Sequence, residues 1–230
     1  MDSKEYVQKL CYQKGWDFEK LDKYVNLIEE KNKVMNLTGF SDDRLWSEGI
    51  LESLAFMDKI MKVFDKCNVL DIGAGVGFPS VPYFIANLNS NFQLDIYEPL
   101  TKRCDFLNLV IKELNITNIK VYKKRVEEQK QKNIYDIVTA RAVADIQTLI
   151  LVAFHLIRVG GKMILIKGKN VLKEVADAEL AFKQVKYKLD IEKFSMTQIN
   201  KENHIVYITK LRSTPNSIPY VWKDVIKLRR

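Results

Sequence analysis

Val69-Leu70-Asp71-Ile72-Gly73-Ala74-Gly75-Val76-Gly77-Phe78-Pro79 decides how the rest of the chain is read. Val69 to Ile72 is a short, largely apolar run of the length of a buried strand, and three glycines at alternate positions follow it. Glycine tolerates positive φ and lets a backbone come close to a ligand, so the run ends in a sharp, approachable turn. Pro79 is then expected to open a helix, because a residue at the first helical position has no use for an N–H. A strand, a glycine turn and a helix in that order begin an α/β sheet.

Outward from this stretch, β-rich runs alternate with helical ones. Strands are expected at 68–72, 92–97, 118–122, 134–139, 162–167, within 185–194 and at 203–210. Helices are expected at 79–88, 100–114, 145–157 and 170–183, with Gly160-Gly161 as the turn into the fifth strand. This alternation predicts an α/β fold with a Rossmann-like, doubly wound, mostly parallel seven-stranded sheet. No helical run separates the last two strands, so an antiparallel last strand is expected. Upstream, Tyr6 and Leu10, then Leu21, Tyr24, Val25, Leu27 and Ile28, recur at helical spacing, with Asp17 as a cap. Asn36-Leu37-Thr38-Gly39-Phe40 breaks that pattern as a loop, and a further helix is expected from about Glu48 to Val63. The chain thus divides into an N-terminal helical extension (1–66), an α/β domain (67–212) and a basic C-terminal tail (213–230).

Its 230 residues, 47% apolar and 29% charged, suit one core domain with an added segment. Cys11, Cys67 and Cys104 are odd in number and form no C-x-x-C, which indicates neither a disulfide framework nor a zinc site. The first residues hold no apolar signal core, and the apolar run 148–157 is too short to span a bilayer. A cytoplasmic protein without a membrane partner is expected. The net charge of +8 suits an anionic partner such as RNA or DNA, although a lysine-rich, arginine-poor composition also follows from genomic base bias.

The glycine loop departs from the dinucleotide fingerprint, which needs a third glycine where Phe78 stands. Pro79 also removes an N–H that a pyrophosphate would seek. What remains is a close backbone wall for an uncharged, nucleoside-like ligand, with Asp71 placed to receive a cationic amine. Glu98, at the end of the second strand, is placed to accept both ribose hydroxyls; Asp95 is its rival within the strand. The plainer alternative is a tight turn beside a solvent-facing Glu98.

This pattern resembles the class I S-adenosylmethionine-dependent methyltransferases. The whole chain resembles more specifically the bacterial RsmG (GidB) family of small-subunit rRNA guanine-N7 methyltransferases. The resemblance rests on Asn36-Leu37-Thr38, Ile50-Leu51-Glu52-Ser53, the stretch Leu70 to Pro82 and Lys102-Arg103. It continues through Arg125-Val126-Glu127-Glu128, Ala140-Arg141-Ala142 and Lys167-Gly168. It implies S-adenosyl-L-methionine as cofactor, held by Asp71, Gly73, Ala74, Gly75, Gly77, Phe78 and Glu98. Arg125, Val126 and Glu127 would lie along its adenine, and Arg141 would face the methyl-transfer pocket and position the substrate. The implied partner is small-subunit ribosomal RNA or the small ribosomal subunit, and a monomer is expected. Two places depart from the family pattern: Glu48-Gly49 stand where Arg-His is usual, with Glu52 for an aspartate, and Asn203 stands where an arginine is usual.

The residues around the fourth strand agree by exclusion. Thr139-Ala140-Arg141-Ala142-Val143 holds no cysteine for attack on a pyrimidine, no polar-Pro-Pro-aromatic turn for an exocyclic amine and no aspartate for a ribose hydroxyl, although Lys167 is available. Guanine N7 carries a lone pair and no proton, so positioning alone serves it. Arg141 suits guanine O6, a phosphate or the cofactor carboxylate, and equally a structural ion pair. Arg125 reads equally as a solvated loop charge, and Lys102 and Arg103 read as an exposed first-turn face or as contacts to rRNA. His155 lies in an apolar run and reads as a core residue, and Trp16, Trp46 and Trp222 carry no pattern of base-stacking platforms. Competing readings are a methyltransferase on another RNA or a small molecule, a non-catalytic ribosome-assembly factor, and a nicotinamide enzyme, which Phe78 disfavours. The helical extension and the basic tail are expected to supply much of an RNA surface.

Overall fold

The computed structural model describes residues 2–87 and 91–228, with the side chain of Asn200 outside the description. Helices α1 (Ser3–Lys14), α2 (Phe18–Met35) and α3 (Asp42–Arg44) lead through a π-helical stretch (Leu45–Leu51) into α4 (Glu52–Met61). Next come β1 (Cys67–Ile72), α5 (Val81–Ala86), β2 (Phe92–Tyr97), α6 (Thr101–Glu113) and β3 (Ile119–Tyr122). A 3-10 turn (Val126–Glu128) precedes β4 (Tyr135–Ala140) and α7 (Ile146–Ala153), which a second 3-10 turn (Phe154–Leu156) joins to β5 (Ile157–Gly168). The chain ends with α8 (Val171–Asp177), α9 (Glu179–Phe182), β6 (Tyr187–Met196), β7 (Ile199–Lys210) and α10 (Trp222–Leu228).

The strands form one seven-stranded sheet in the order β3-β2-β1-β4-β5-β7-β6. β1 runs parallel to β4, β4 to β5 and β2 to β3, whereas β7 runs antiparallel to β5. The chain order reverses between β1 and β4, and ligands of open α/β sheets bind beyond the carboxyl ends of strands at such a switch point. β4 is buried along its whole length, and its one carboxylate, Asp136, is held there by Asn68 N–H and Arg158. β6 stands at the edge, where Lys188, Asp190, Glu192 and Lys193 discourage pairing with another chain.

By contacts the chain forms two compact units. The first holds the segments up to Lys66, Gly73–Lys123 and Met196–Asn200; the second holds Cys67–Ile72, Lys124–Ser195 and Lys201 onward. In the first, Asp2 and Asp17 cap α1 and α2 by accepting from the N–H groups of Glu5 and Lys20, each at the third residue after the cap. The helices bury Val7, Cys11, Leu21, Tyr24, Val25 and Ile28, each a gain of roughly 1.5–3 kcal/mol for the large apolar side chains. In the second, Val69, Leu70, Ile137, Val138, Leu165, Val206 and Phe154 are fully buried.

Several boundaries move from the sequence expectation. Pro79 does not open a helix: it follows a cis peptide bond inside a turn, and α5 starts at Val81 with Pro82 in its first turn, where the missing N–H is equally harmless. The helix expected over 145–157 stops at Ala153, and β5 begins already at Ile157, so Gly160-Gly161 lie inside a strand where its register against β4 shifts. The helix expected over 170–183 is divided at Ala178, and the one expected from Glu48 is π-helical until Leu51. The tail contains α10, with Ile218 and Val225 buried. Among the described residues, no helix is long and apolar enough to cross a membrane.

Candidate functional site

In the first unit the glycine loop is tied down at both ends. Gly73 N–H donates to the Tyr97 carbonyl at 2.8 Å, and Phe78 and Gly77 N–H groups donate back to Ala74 at 3.0 and 2.8 Å. Gly73, Gly75 and Gly77 all have positive φ, which gives the alternating glycines their reason. At Gly77 (φ +122°) a Cβ would lie 2.6 Å from Val81 Cβ and 2.8 Å from the Tyr24 hydroxyl, so the position has room for hydrogen only. At Gly75 (φ +63°) the nearest atom to a Cβ is Arg103 Cζ at 4.0 Å, so the loop has open space there.

Glu98, one residue past β2, is 1% exposed. Its Oε1 accepts from Leu100 N–H at 2.9 Å and its Oε2 from Gly75 N–H at 3.3 Å, while Arg103 Nη1 stands 3.6 Å from Oε2. A buried carboxylate thus meets the Gly75 N–H through a long, weak bond that a better donor can replace. Its own backbone is fixed by the Tyr122 carbonyl (3.1 Å) and by the Cys104 thiol (3.0 Å). Burial, and then Glu98, push that thiol's pKa up, so Cys104 stays protonated. The solvent-facing alternative for Glu98 is therefore set aside.

Aromatic packing backs the loop within the same unit. The Tyr24 hydroxyl donates to the Val76 carbonyl at 2.7 Å, and the Phe78 ring meets those of Tyr24 and Phe40 at centroid distances of 6.4 and 6.0 Å. Gly49 lies under Phe78, where a Cβ would come within 2.8 Å of the ring, so the Gly49 departure from the family pattern matches a ring that fills this space. Glu48 pairs with Arg44 at 3.0 Å one turn away. Asn32 clamps the Asn36–Phe40 loop, its Oδ1 accepting from Leu37 and Thr38 N–H and its Nδ2 donating to the Thr38 carbonyl. Lys102 Nζ reaches the Met35 carbonyl at 3.0 Å, which fixes a residue read as part of an exposed first-turn face.

In the second unit, Asp71 is fully buried in β1, in register with Thr139 of β4. Arg141 follows the last residue of β4 and is half-buried. Arg125 caps the turn Val126–Glu128: its N–H is taken by the Glu128 carboxylate at 3.1 Å, and Val126 and Glu127 are buried. Lys167 is drawn away from any acid–base role, since its ammonium bonds Glu174 and the Ala144 carbonyl. His155 is a core residue as expected. It is fully buried with Nε2 2.7 Å from the Gln129 carbonyl, and burial lowers its pKa to about 4.

Sequence reasoning missed three features. Arg103 is a partner of Glu98, signalled only by its place in the first turn of α6. Trp222 stacks on Arg125, with the guanidinium carbon 5.4 Å from the ring. Lys210 is wholly buried, bonding the carbonyls of Phe154 and His155 (3.2 Å each), that of Ile157 (2.5 Å) and Asn133 Oδ1 (2.9 Å), which closes the end of α7. An apolar strand pattern ending in lysine gave no sign of it.

A doubly wound sheet with the last-paired strand reversed, a glycine turn without phosphate donors and a buried acid after β2 together define the class of S-adenosylmethionine-dependent methyltransferases. Solved structures agree on the fold. An S-adenosylmethionine-dependent methyltransferase from Aquifex aeolicus superposes with a TM-score of 0.52 at 14% identity, covering 69% of this chain and 90% of that one. The tRNA (m1A58) methyltransferase TrmI from Aquifex aeolicus gives 0.54 at 10% identity, covering 70% and 69%. The chain belongs to the GidB family, rRNA small subunit methyltransferase G, whose profile matches residues 17–206. A ribosomal RNA small subunit methyltransferase G of Mycoplasmopsis pulmonis (strain UAB CTIP) is 37% identical over 227 residues, 97% of this chain and 94% of that protein. Another, from Carboxydothermus hydrogenoformans, is 33% identical over 204 residues, 86% and 85% of the two chains.

Proposed function

We propose that the protein transfers the methyl group of S-adenosylmethionine to N7 of a guanine in small-subunit ribosomal RNA, acting as a monomer in the cytoplasm. The observation that carries the cofactor reading is Glu98, a buried carboxylate just past β2 that reaches the glycine loop only through a long bond from Gly75 N–H, which suits a pair of ribose hydroxyls. The family supplies the ribosomal substrate. Three buried free cysteines accord with a reducing compartment.

S-adenosylmethionine, when bound, supplies an electrophilic methyl on a sulfonium. Gly73, Ala74, Gly75 and Gly77 present backbone rather than side chain to it, and Phe78 holds that backbone in shape. Glu98 accepts the ribose hydroxyls, giving up its 3.3 Å bond to Gly75 if needed. Asp71 receives the amine, and Arg125, Val126 and Glu127 flank the adenine. Arg141 orients the guanine through O6 or a phosphate, since a guanidinium beside N7 would oppose the positive charge that the ring gains. No side chain has to remove a proton, because N7 bears none; the chain's contribution is alignment. Lys167, held by Glu174, fits that absence of a base.

The test is to incubate the protein with methyl-labelled cofactor and unmodified small ribosomal subunits, then to identify the labelled nucleoside by mass spectrometry. Label in 7-methylguanosine, lost in folded Arg141→Ala and Gly75→Asp proteins, is the expected result. Label in another nucleoside would keep the class and overturn the N7 assignment.

A further inference from the structure

The C-terminal residues 213–228, expected from their lysines to face RNA, grip the second unit along one short segment. Lys132 Nζ bonds the carbonyls of Thr214 (3.3 Å) and Pro215 (3.1 Å) and Asn216 Oδ1 (3.4 Å), and Asn133 reaches the Ser213 hydroxyl. Further on, Ile218 is fully buried, Tyr220 N–H donates to the Leu151 carbonyl at 2.9 Å, and the Tyr220 hydroxyl reaches Gln184. α10 then begins with Trp222, whose ring receives the Arg125 guanidinium. The segment 125–133 is therefore held at one end by residues 213–216 and at the other by Trp222.

The backbone of the Arg125–Glu128 turn closes on itself through Glu128, and the exposed Arg125 side chain carries its guanidinium to 5.4 Å from the Trp222 ring. A long, charged side chain loses rotamer freedom when it orders, and a flat indole face is a partner that limits this loss beforehand. We propose that residues 213–228 form a strap that pre-sets the cofactor's adenine-side turn, with Trp222 a positioning residue that acts through Arg125. This rests on the reading that Arg125, Val126 and Glu127 flank the adenine. The strap then serves cofactor affinity even where no RNA is present.

The test measures the dissociation constant of S-adenosylmethionine by equilibrium dialysis, with no RNA present, for the full chain and for Arg125→Ala, Trp222→Ala, Trp222→Phe and the Arg125→Ala/Trp222→Ala double variant. Each single alanine variant is expected to weaken binding about two- to five-fold, the double variant no more than the worse single one, and Trp222→Phe to restore most of the affinity. Unchanged thermal unfolding in Trp222→Ala separates this from loss of fold. If Arg125→Ala weakens binding and Trp222→Ala does not, or if the two effects simply multiply, the strap proposal is overturned while the adenine-side reading stands. If Arg125→Ala leaves affinity intact while Gly75→Asp abolishes it, the adenine-side reading fails and takes the strap with it. A Trp222→Ala protein that binds cofactor normally but methylates subunits with a raised KM would make the tail an RNA surface instead.

Discussion

Gly75 and Gly77 sit two residues apart in one loop, and their surroundings ask opposite things of a substitution. At Gly77 a methyl group would meet Val81 and the Tyr24 hydroxyl well inside contact distance, at a φ that residues with a Cβ scarcely adopt. Strain and overpacking each cost of order 1–3 kcal/mol, so Gly77→Ala should lower unfolding stability by about 2–6 kcal/mol. At Gly75 only the left-handed φ opposes a Cβ, at roughly 1 kcal/mol, and the added methyl projects into open space. Gly75→Ala should therefore stay folded in urea titrations and lose cofactor affinity by tenfold or more. A Gly75→Ala protein that binds cofactor normally would show that the open face is not where the ligand lies. Glu98 and the alternating glycines were legible from sequence because each is a residue type with a single strong reason to be there. Arg103 was not, because an arginine in the first turn of a helix is ordinary, and only the fold brings its guanidinium to 3.6 Å from Glu98.

At the scale of elements, the end of α7 combines two buried titratable groups. His155 in the following 3-10 turn donates Nε2–H to the Gln129 carbonyl, which leaves Nδ1 as the proton acceptor, buried and near the Lys210 charge. Burial first, and then the lysines Lys210, Lys132 and Lys130, lower its pKa from 6.5 to about 4. The folded value lies below the unfolded one, so between these pH values the unfolded chain binds the extra proton and stability falls as pH falls from about 6.5 to about 4. The loss from this group should approach about 2–3 kcal/mol at pH 4.5. His155→Gln, which keeps a donor for Gln129, should flatten that limb in urea unfolding measured from pH 7.5 to 4.5; an unchanged acid limb would assign it to carboxylates. The same region shows where the element pattern misled. Apolar residues run from Leu149 to Phe154 and resume at Leu156 and Ile157, and period alone does not tell a long helix from a shorter one that hands over to a strand. Lys210 provides the stop: its ammonium satisfies the carbonyls of Phe154, His155 and Ile157 from β7, far away in sequence. Gly160-Gly161 carried a turn signal, yet Gly161 lies so near the Asp136 carbonyl that a Cβ would come within 2.7 Å, and the pair marks a register shift within β5.

For the whole molecule, a mostly parallel seven-stranded sheet with an antiparallel last strand was legible in the alternation of runs, whereas the strand order, with β7 inserted beside β5, was not, because it depends on pairings between segments far apart in sequence. Charge is the property that sequence left undecided, since 37 basic against 29 acidic residues describe an RNA-binding protein and a lysine-rich genome equally well. In the structure several surface lysines pair with acids: Lys4 with Asp22, Lys14 with Asp58 and Lys31 with Glu30. Exposed pairs of this kind contribute little to stability, so their lysines remain available to exchange an acid for a phosphate at small cost. Binding to a ribosomal subunit would then release counterions, and its affinity should fall roughly tenfold or more between 50 and 250 mM KCl. The cofactor meets glycine backbone and a buried carboxylate, so its affinity should change less than about twofold over the same range. Measuring both constants on one preparation separates the two origins of the charge. A steep subunit slope with a flat cofactor slope assigns the excess lysines to RNA; two flat slopes would leave the charge as composition and place subunit recognition in shape and base contacts.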